Sequence, residues 1–403
     1  KVLDHMEVLT KLLEYGIDKQ ATTIHRLLGV SSHSEGDGWG FEHGECNPLP
    51  YRFVVVDECS MIDCNLMAAL LRACARGCHV LFVGDVNQLP PVGHGAPLRD
   101  MIAAGVPCGE LRKIERNWGA GVQACADIRD GKKFTTCRTL DPDAGHNLKL
   151  VHTRGNEQSA AKIEELIVTL GKRKLFDPVW DCQVIVAVNK RSELSRKELN
   201  QRLQGVLNPS GKRVGSNPFR VGDKIVCLKN GFLPVDDDNA GLGDNADAQD
   251  DKVFVANGEI GRVIEVAEKL TSVRLEGPRR CIKIPRGAGG DGDDNSGNGS
   301  GNANDSTASA DTGCQWDLAY AISCHKSQGS EFPCVIVALD EYPGARMVCS
   351  REWLYTALSR FKQVCFLVGK KHTADSMCRR LAIRKRKTFL RELIANPQEQ
   401  CDE

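Results

Sequence analysis

Short runs of β-branched and aliphatic residues alternate along this chain with longer stretches whose apolar positions recur every third or fourth residue. That alternation predicts a parallel sheet covered by helices. Strands are expected at Phe53–Asp57, His79–Gly84, Gln183–Val188, Cys334–Leu339 and Gln363–Gly369. Helices are expected at Asn65–Ala75, Ala96–Ala103, Ala160–Leu170, Ser192–Gln204 and Arg351–Arg360. The fold class is α/β, in two blocks (residues 1–145 and 146–403) with a hinge at Asp141–Gly145.

Two stretches depart from this pattern. From Phe219 to Ile284, short alternating segments (FRVGDKIVCL, VFVANGEIGRVIEV, TSVRLEG, CIKIP) predict a small β-barrel inserted in the second block, at about 214–286. An acidic loop, Asp236–Asp251, lies inside it. The run Gly287–Gly313 is almost free of apolar residues and is expected to be a disordered loop, since it cannot bury enough surface to fold.

Composition narrows the class. With 53 basic and 53 acidic residues the formal charge is zero, so a nucleic acid would have to be gripped by local patches. No apolar run reaches the length of a membrane span. The N-terminal KVLDHMEVLTKLLEYG carries acids and no small-residue cleavage site, so it does not read as a signal peptide. The chain begins without a methionine, and a fragment of a longer protein is expected. Its 18 cysteines are scattered without a Cys-x-x-Cys pair, which points to reduced thiols and an intracellular location.

FVVVDECSM (Phe53–Met61) is the most informative segment. A buried strand there would present Asp57 and Glu58 at the sheet edge where ligands bind in such folds. Asp57 suits Mg²⁺ held through its water shell, and Glu58 suits a base for an attacking water. A solvated Asp-Glu turn is the alternative. The next strand ends in GDVNQLPPVG, where Gln88 can face the same crevice and two prolines stiffen the exit. Arg116 and Arg360 offer guanidinium groups suited to phosphate oxygens, or to surface ion pairs.

These segments, with ATTIHRLLG (Ala21–Gly29), AYAISCHKSQGSEFPCVIV (Ala319–Val337) and LYTALSRFKQVCFLVG (Leu354–Gly369), occur together and in order. The set closely resembles the RecD-like branch of superfamily 1 DNA helicases, from Ala21 to about Gly369. The resemblance implies two RecA-like P-loop NTPase-type domains, ATP and Mg²⁺ as cofactors, and 5′→3′ movement on single-stranded DNA in repair or recombination. It assigns Asp57 and Glu58 to Mg²⁺ and the lytic water, and Gln88 to sensing the terminal phosphate. Arg116 and Arg360 become the guanidiniums facing that phosphate, though the Glu-Arg-Asn setting of Arg116 is an imperfect match. Gly329 and Glu331 line the nucleotide, and the barrel is the family's usual insert. Ser31–Pro50, with Trp39 and Phe41, resembles the short pin before the second motif.

One departure matters. A phosphate-binding loop needs Gly-x-x-x-x-Gly-Lys-Ser/Thr. Gly-Lys occurs at Gly131, Gly171, Gly211 and Gly369, each followed by Lys or Arg. The family places that loop upstream of ATTIHRLLG, so truncation is expected, and this chain alone should have negligible ATPase activity.

For DNA, the candidates are Thr22, Thr23 and His25, with Arg26 beside them; His325, Lys326 and Ser327; and Asn189. Hydroxyls and cations of this kind position a phosphate backbone without reading bases. A helix N-cap at Thr22–Thr23 and a turn at Asn189 are the structural alternatives. The expected partners are single-stranded DNA and its junctions with duplex. Protein partners would use the barrel or the termini, and no membrane is expected. The basic run Arg379–Ile394 is either a DNA-backbone patch or a solvated helix face. Two further functions stay open: a non-catalytic DNA-binding or scaffold subunit, and the helicase portion of a conjugative relaxase.

Overall fold

The computed structural model describes residues 21–31, 40–111, 118–236, 252–276, 279–285, 315–383, 386 and 388–395. The chain forms two compact units, Lys1–Arg112 with Leu381–Glu403, and Lys113–Arg380. Packing divides the chain near Arg112 and groups the C-terminal segment with the first unit, while the expected hinge Asp141–Gly145 lies within the second. The reason lies in the packing of α4 (Ala120–Arg129), which sits on α8 (Arg351–Leu358) within the second unit. Asn147 ties the approach to α4 down, accepting from Gly121 N at 2.9 Å and donating to Trp118 O at 2.7 Å. The Asp141–Gly145 segment is a 3₁₀ turn inside this unit, capped by Asp141.

In the first unit, α1 (Ile24–Leu28) is followed by a short ribbon of β1 (Val30–Ser31) and β2 (Gly40–Phe41). Trp39, at the centre of the expected pin, lies outside the described residues. Phe41 packs against the unit's core and approaches the His25 ring at 6.0 Å. Strands β3 (Phe53–Val56) and β4 (His79–Phe82) pair in parallel, Phe53 opposite His79 and Val56 opposite Phe82. Alternation along β3 buries Val54 and Val56 with Met67, Leu70 and Ala73 of α2 (Cys64–Ala73). Asp63 caps α2 by accepting from Leu66 N at 2.9 Å. The opposite face of the pair, Phe53, Val55, Leu81 and Val83, is exposed. Helix α3 (Pro97–Ala103) follows β4.

The second unit holds a five-stranded parallel sheet of β5 (Leu148–His152), β6 (Cys182–Val186), β14 (Ala321–Ser323), β15 (Phe332–Ala338) and β16 (Phe361–Gly369), in the order β14-β6-β15-β16-β5. All five residues of β6 are buried, as expected of a strand covered on both faces. The helices are α5 (Asn156–Lys172), α6 (Arg196–Leu207), α7 (Pro343–Val348), α8 and α9 (Lys371–Cys378).

The inserted region is a five-stranded antiparallel sheet, β12-β11-β10-β7-β13, with a separate hairpin of β8 (Gly231–Pro234) and β9 (Lys252–Val255). Its strands are β7 (Lys224–Lys229), β10 (Ile260–Val266), β11 (Leu270–Glu276), β12 (Arg279–Pro285) and β13 (Gln315–Leu318). Among the described residues no pairing joins the edge strands β12 and β13, while a bridge between Val235 and Ile282, with Asp236 N donating to Cys281 O at 2.9 Å, ties the hairpin to β12. The edge strand β13 also lies beyond the predicted span, because the chain crosses 286–314 before returning. That run and most of Asp236–Asp251 lie outside the described residues. Residues from both sheets, including Val184, Ile336, Ile225, Val273 and Trp316, share one core. No described cysteine forms a disulfide.

Candidate nucleotide and nucleic-acid sites

In the first unit the chain leaves β3 at Val56 and turns sharply. Glu58 adopts the left-handed conformation (φ 50°, ψ 35°), uncommon for a residue with a side chain. Its N–H donates to Asp57 Oδ1 at 2.8 Å, closing the turn on the first carboxylate. Cys59 N donates to Val83 O at 2.9 Å, and Val83 N to Val56 O at 2.8 Å. These bonds extend the β3–β4 pairing past the strand ends.

Gly84 is needed at that seam. A Cβ there would lie 2.8 Å from Cys59 Sγ and 3.0 Å from the backbone nitrogen of Ser60. The chain then turns on Asp85, which accepts from Asn87 N at 2.9 Å and Asn87 Nδ2 at 3.0 Å. Gln88 N donates to Asp85 O at 3.1 Å. The fold thus brings Asp57, Glu58 and Gln88 to one edge of the parallel pair. Gln88 lines a small cleft with Ser60, Leu89, Pro91, Arg99 and Ile383.

Burial, with the nearby carboxylates of Asp57 and Glu58, pushes the Cys59 thiol up to about 11, so it stays protonated and inert at neutral pH. Ser60 is buried, and its hydroxyl has no hydrogen-bond partner among the described residues. Nothing in the hydrophobic pattern signals that hydroxyl. Among the described residues no group of three or more His, Cys, Asp or Glu could cage a metal. A carboxylate pair at a strand end fits Mg²⁺, which keeps several waters and takes only one or two protein carboxylates.

Thr22, Thr23 and His25 are exposed at the start of α1. Thr23 caps the helix, accepting from Arg26 N at 3.3 Å, so the N-cap alternative holds for this residue. Arg116 lies outside the described residues.

In the second unit the candidates separate by strand end. Glu331 and Arg360 immediately precede the paired strands β15 and β16, where Phe332 N donates to Arg360 O at 2.9 Å. Gly329, at φ +74°, stands just ahead with open space around its Cα. Glu331 pairs with Lys362 at 3.4 Å. Arg360 is only 2% exposed. Its Nε donates to Thr356 O at 3.1 Å and its Nη2 to Ser359 Oγ at 2.8 Å, so the guanidinium is held along its own helix. Its charge reaches Cys324, whose thiol burial nonetheless raises.

Asn189 and the turn Cys324–Ser327 instead follow the C-terminal ends of β6 and β14, which are neighbours in the sheet. Two candidates far apart in sequence therefore leave one edge together. Asn189 is exposed, and its carbonyl accepts from Lys197 N at 3.1 Å. Lys326 Nζ reaches Asn257 Oδ1 and, at 3.5 Å, Leu228 O, joining this edge to the inserted sheet. His325 is half-buried beside it. Ser327 is fully buried and spends its hydroxyl on Cys324 O at 2.8 Å.

Comparison with known proteins finds helicases. A family model described as an AAA domain matches residues 5–145, and one described as a UvrD-like helicase C-terminal domain matches 318–368. The ATP-dependent RecD2 DNA helicase of Deinococcus radiodurans is 28% identical over 362 residues, covering 87% of this chain and 40% of that protein. The RecBCD enzyme subunit RecD of Mycolicibacterium smegmatis is 25% identical over 399 residues, covering 95% of this chain and 60% of the relative. The chain thus spans about half the length of these relatives. A solved structure of Bacteroides Pif1 helicase with ADP-AlF3 and ssDNA aligns at a TM-score of 0.44 and 17% identity, over 93% of this chain and 94% of that one.

Proposed function

We propose, from the chain's membership of the RecD-like superfamily 1 helicase family, that the complete protein is an ATP-driven helicase moving 5′→3′ on single-stranded DNA in repair or recombination. The observation that carries this reading is the shared edge on which Asp57, Glu58 and Gln88 stand, bonded together through Cys59 and Val83. Asp57 holds Mg²⁺ through water; the ion, when bound, neutralises phosphate charge. Glu58 orients and deprotonates the attacking water, and its fixed left-handed backbone sets where that carboxylate points. Gln88 contacts the terminal phosphate. The resemblance gives Arg360 and Arg116 the stabilising of charge on that phosphate, for which Arg360 would have to release Thr356 O and Ser359 Oγ, and gives Gly329 and Glu331 the lining of the nucleotide.

Thr22, Thr23 and His25 in one unit, and Asn189, His325 and Lys326 in the other, hold the DNA backbone. Their exposed or half-exposed positions support this role. Ser327 contributes by shaping its turn, since its hydroxyl is already used. The substrate is single-stranded DNA and its junctions with duplex, and the site of action is intracellular. Among the described residues no helix is long and apolar enough to cross a membrane.

The absence of Gly-Lys-Ser/Thr from this sequence gives the non-catalytic reading its one support. DNA-stimulated phosphate release separates the two. It is measured on this chain and on the complete protein with a phosphate-binding loop ahead of Ala21. The helicase reading expects turnover only from the second. Binding of DNA without turnover by either would favour the scaffold reading.

A further inference from the structure

We infer that Arg386, in the C-terminal segment assigned to the first unit, is a positioning residue that acts through Gln88. The inference rests on the reading above for the role of Gln88, but the contact itself stands on separate observations. The guanidinium of Arg386 donates to Gly93 O and, at 3.1 Å, to Gly95 O. Those carbonyls close the loop that begins at Gln88.

Arg99 on α3 locks Arg386 in place. Its Nη1 donates to Ile383 O at 2.7 Å and its Nη2 to Arg386 O at 3.1 Å. Arg99 is itself paired with the buried Asp100 at 2.6 Å, and the Thr388 hydroxyl bonds the other oxygen of that carboxylate. Ile383 lines the same cleft as Gln88. Helix α10 (Leu390–Ala395) completes the attachment by packing on α3.

The far side of the loop is held as well. Cys64 N, at the start of α2, donates to His94 O at 3.0 Å. Gly95 has φ +83°, and a Cβ there would lie 2.8 Å from Thr388 Cγ2, so the segment presses directly on the loop backbone. Between this clamped end and Gln88 stand Pro90 and Pro91, both buried, with φ fixed by their rings. A displacement at Gly93–Gly95 is therefore passed to Gln88 by a stiff piece of chain. Sub-ångström control of such a side chain matters, because misplacing a catalytic group by about 1 Å costs on the order of 100-fold in rate.

The test uses the complete protein and four variants: R386A, R386K, Q88A and the Q88A/R386A double. The clamp predicts faster amide exchange across residues 87–95 in R386A. It also predicts DNA-stimulated turnover about tenfold lower, with KM for nucleotide within about twofold of wild type. R386K, which keeps the charge and N–H donors but loses the guanidinium fork, recovers part of both effects. The double variant turns over no more slowly than Q88A alone, because Arg386 has no separate route to the chemistry. Losses that multiply in the double variant, or unchanged turnover in R386A despite faster exchange, overturn the inference. Should wild-type protein show no turnover, the helicase reading fails, and exchange alone then decides the clamp. Unchanged exchange at residues 87–95 in R386A and R386K rejects it.

Discussion

The backbone N–H of Cys59 donates to Val83 O at 2.9 Å, bonding the turn that carries Asp57 and Glu58 to the strand that leads to Gln88. Close approach at this seam depends on Gly84, where a Cβ would press on Cys59 Sγ, Leu98 and the Ser60 backbone. Gly84→Ala should destabilise the protein by about 1–3 kcal/mol, the usual range for overpacking. The denaturant midpoint reports this, and an unchanged midpoint would mean that the seam yields easily.

Ser60 makes the opposite prediction. Its hydroxyl is buried without a partner, so Ser60→Ala removes an unsatisfied group and no bond. Stability should change by less than about 0.5 kcal/mol or rise slightly. A loss well above about 1 kcal/mol on thermal unfolding would show that the hydroxyl is hydrogen-bonded in solution.

Lys224 carries the pH dependence. The side chain is buried at the seam between the two sheets of the second unit. It donates to Val179 O and Gln183 Oε1, both at 3.0 Å. Burial lowers its pKa from 10.5 to about 8. Between those values the unfolded chain binds the proton and the folded chain does not, so this group adds stability as pH rises from 8 to 10.5. The full effect corresponds to about 3 kcal/mol. Buried thiols such as Cys349, pushed up to about 12, act in the reverse direction above pH 9. Their effect cancels when wild type is compared with Lys224→Met. The stability of wild type relative to that variant should therefore increase across pH 8–10.5. A constant difference would mean that Lys224 titrates normally.

Packing also explains which parts of the molecule could be read from residues alone. Strands such as β6 and β15 announce themselves because burial on both faces favours near-continuous apolar runs such as Val184–Val186 and Cys334–Ala338. Strand β3 was legible from its apolar run too, although only Val54 and Val56 are buried and the expected fully buried strand is exposed on its other face. Helix α4 gave no such signal. Its buried positions include Gly121 and Ala124, small residues that seat it against neighbours without hydrophobic periodicity, so the pattern gave no sign that it packs within the second unit. Nor does local pattern encode Arg386. The expected basic face reads as solvated, yet this guanidinium caps carbonyls nearly three hundred residues earlier in the chain. The bond to Gly95 exists only after the fold returns the C-terminus to the first unit.

The role of Glu58 tests the account most directly. In the complete protein, Glu58→Gln keeps the shape and backbone of the turn while removing the base. DNA-stimulated phosphate release and nucleotide binding are measured side by side on wild type and variant. The account predicts binding within about threefold of wild type and turnover reduced by at least about 100-fold, within the usual range for a general base. Turnover retained in the Gln variant would contradict it.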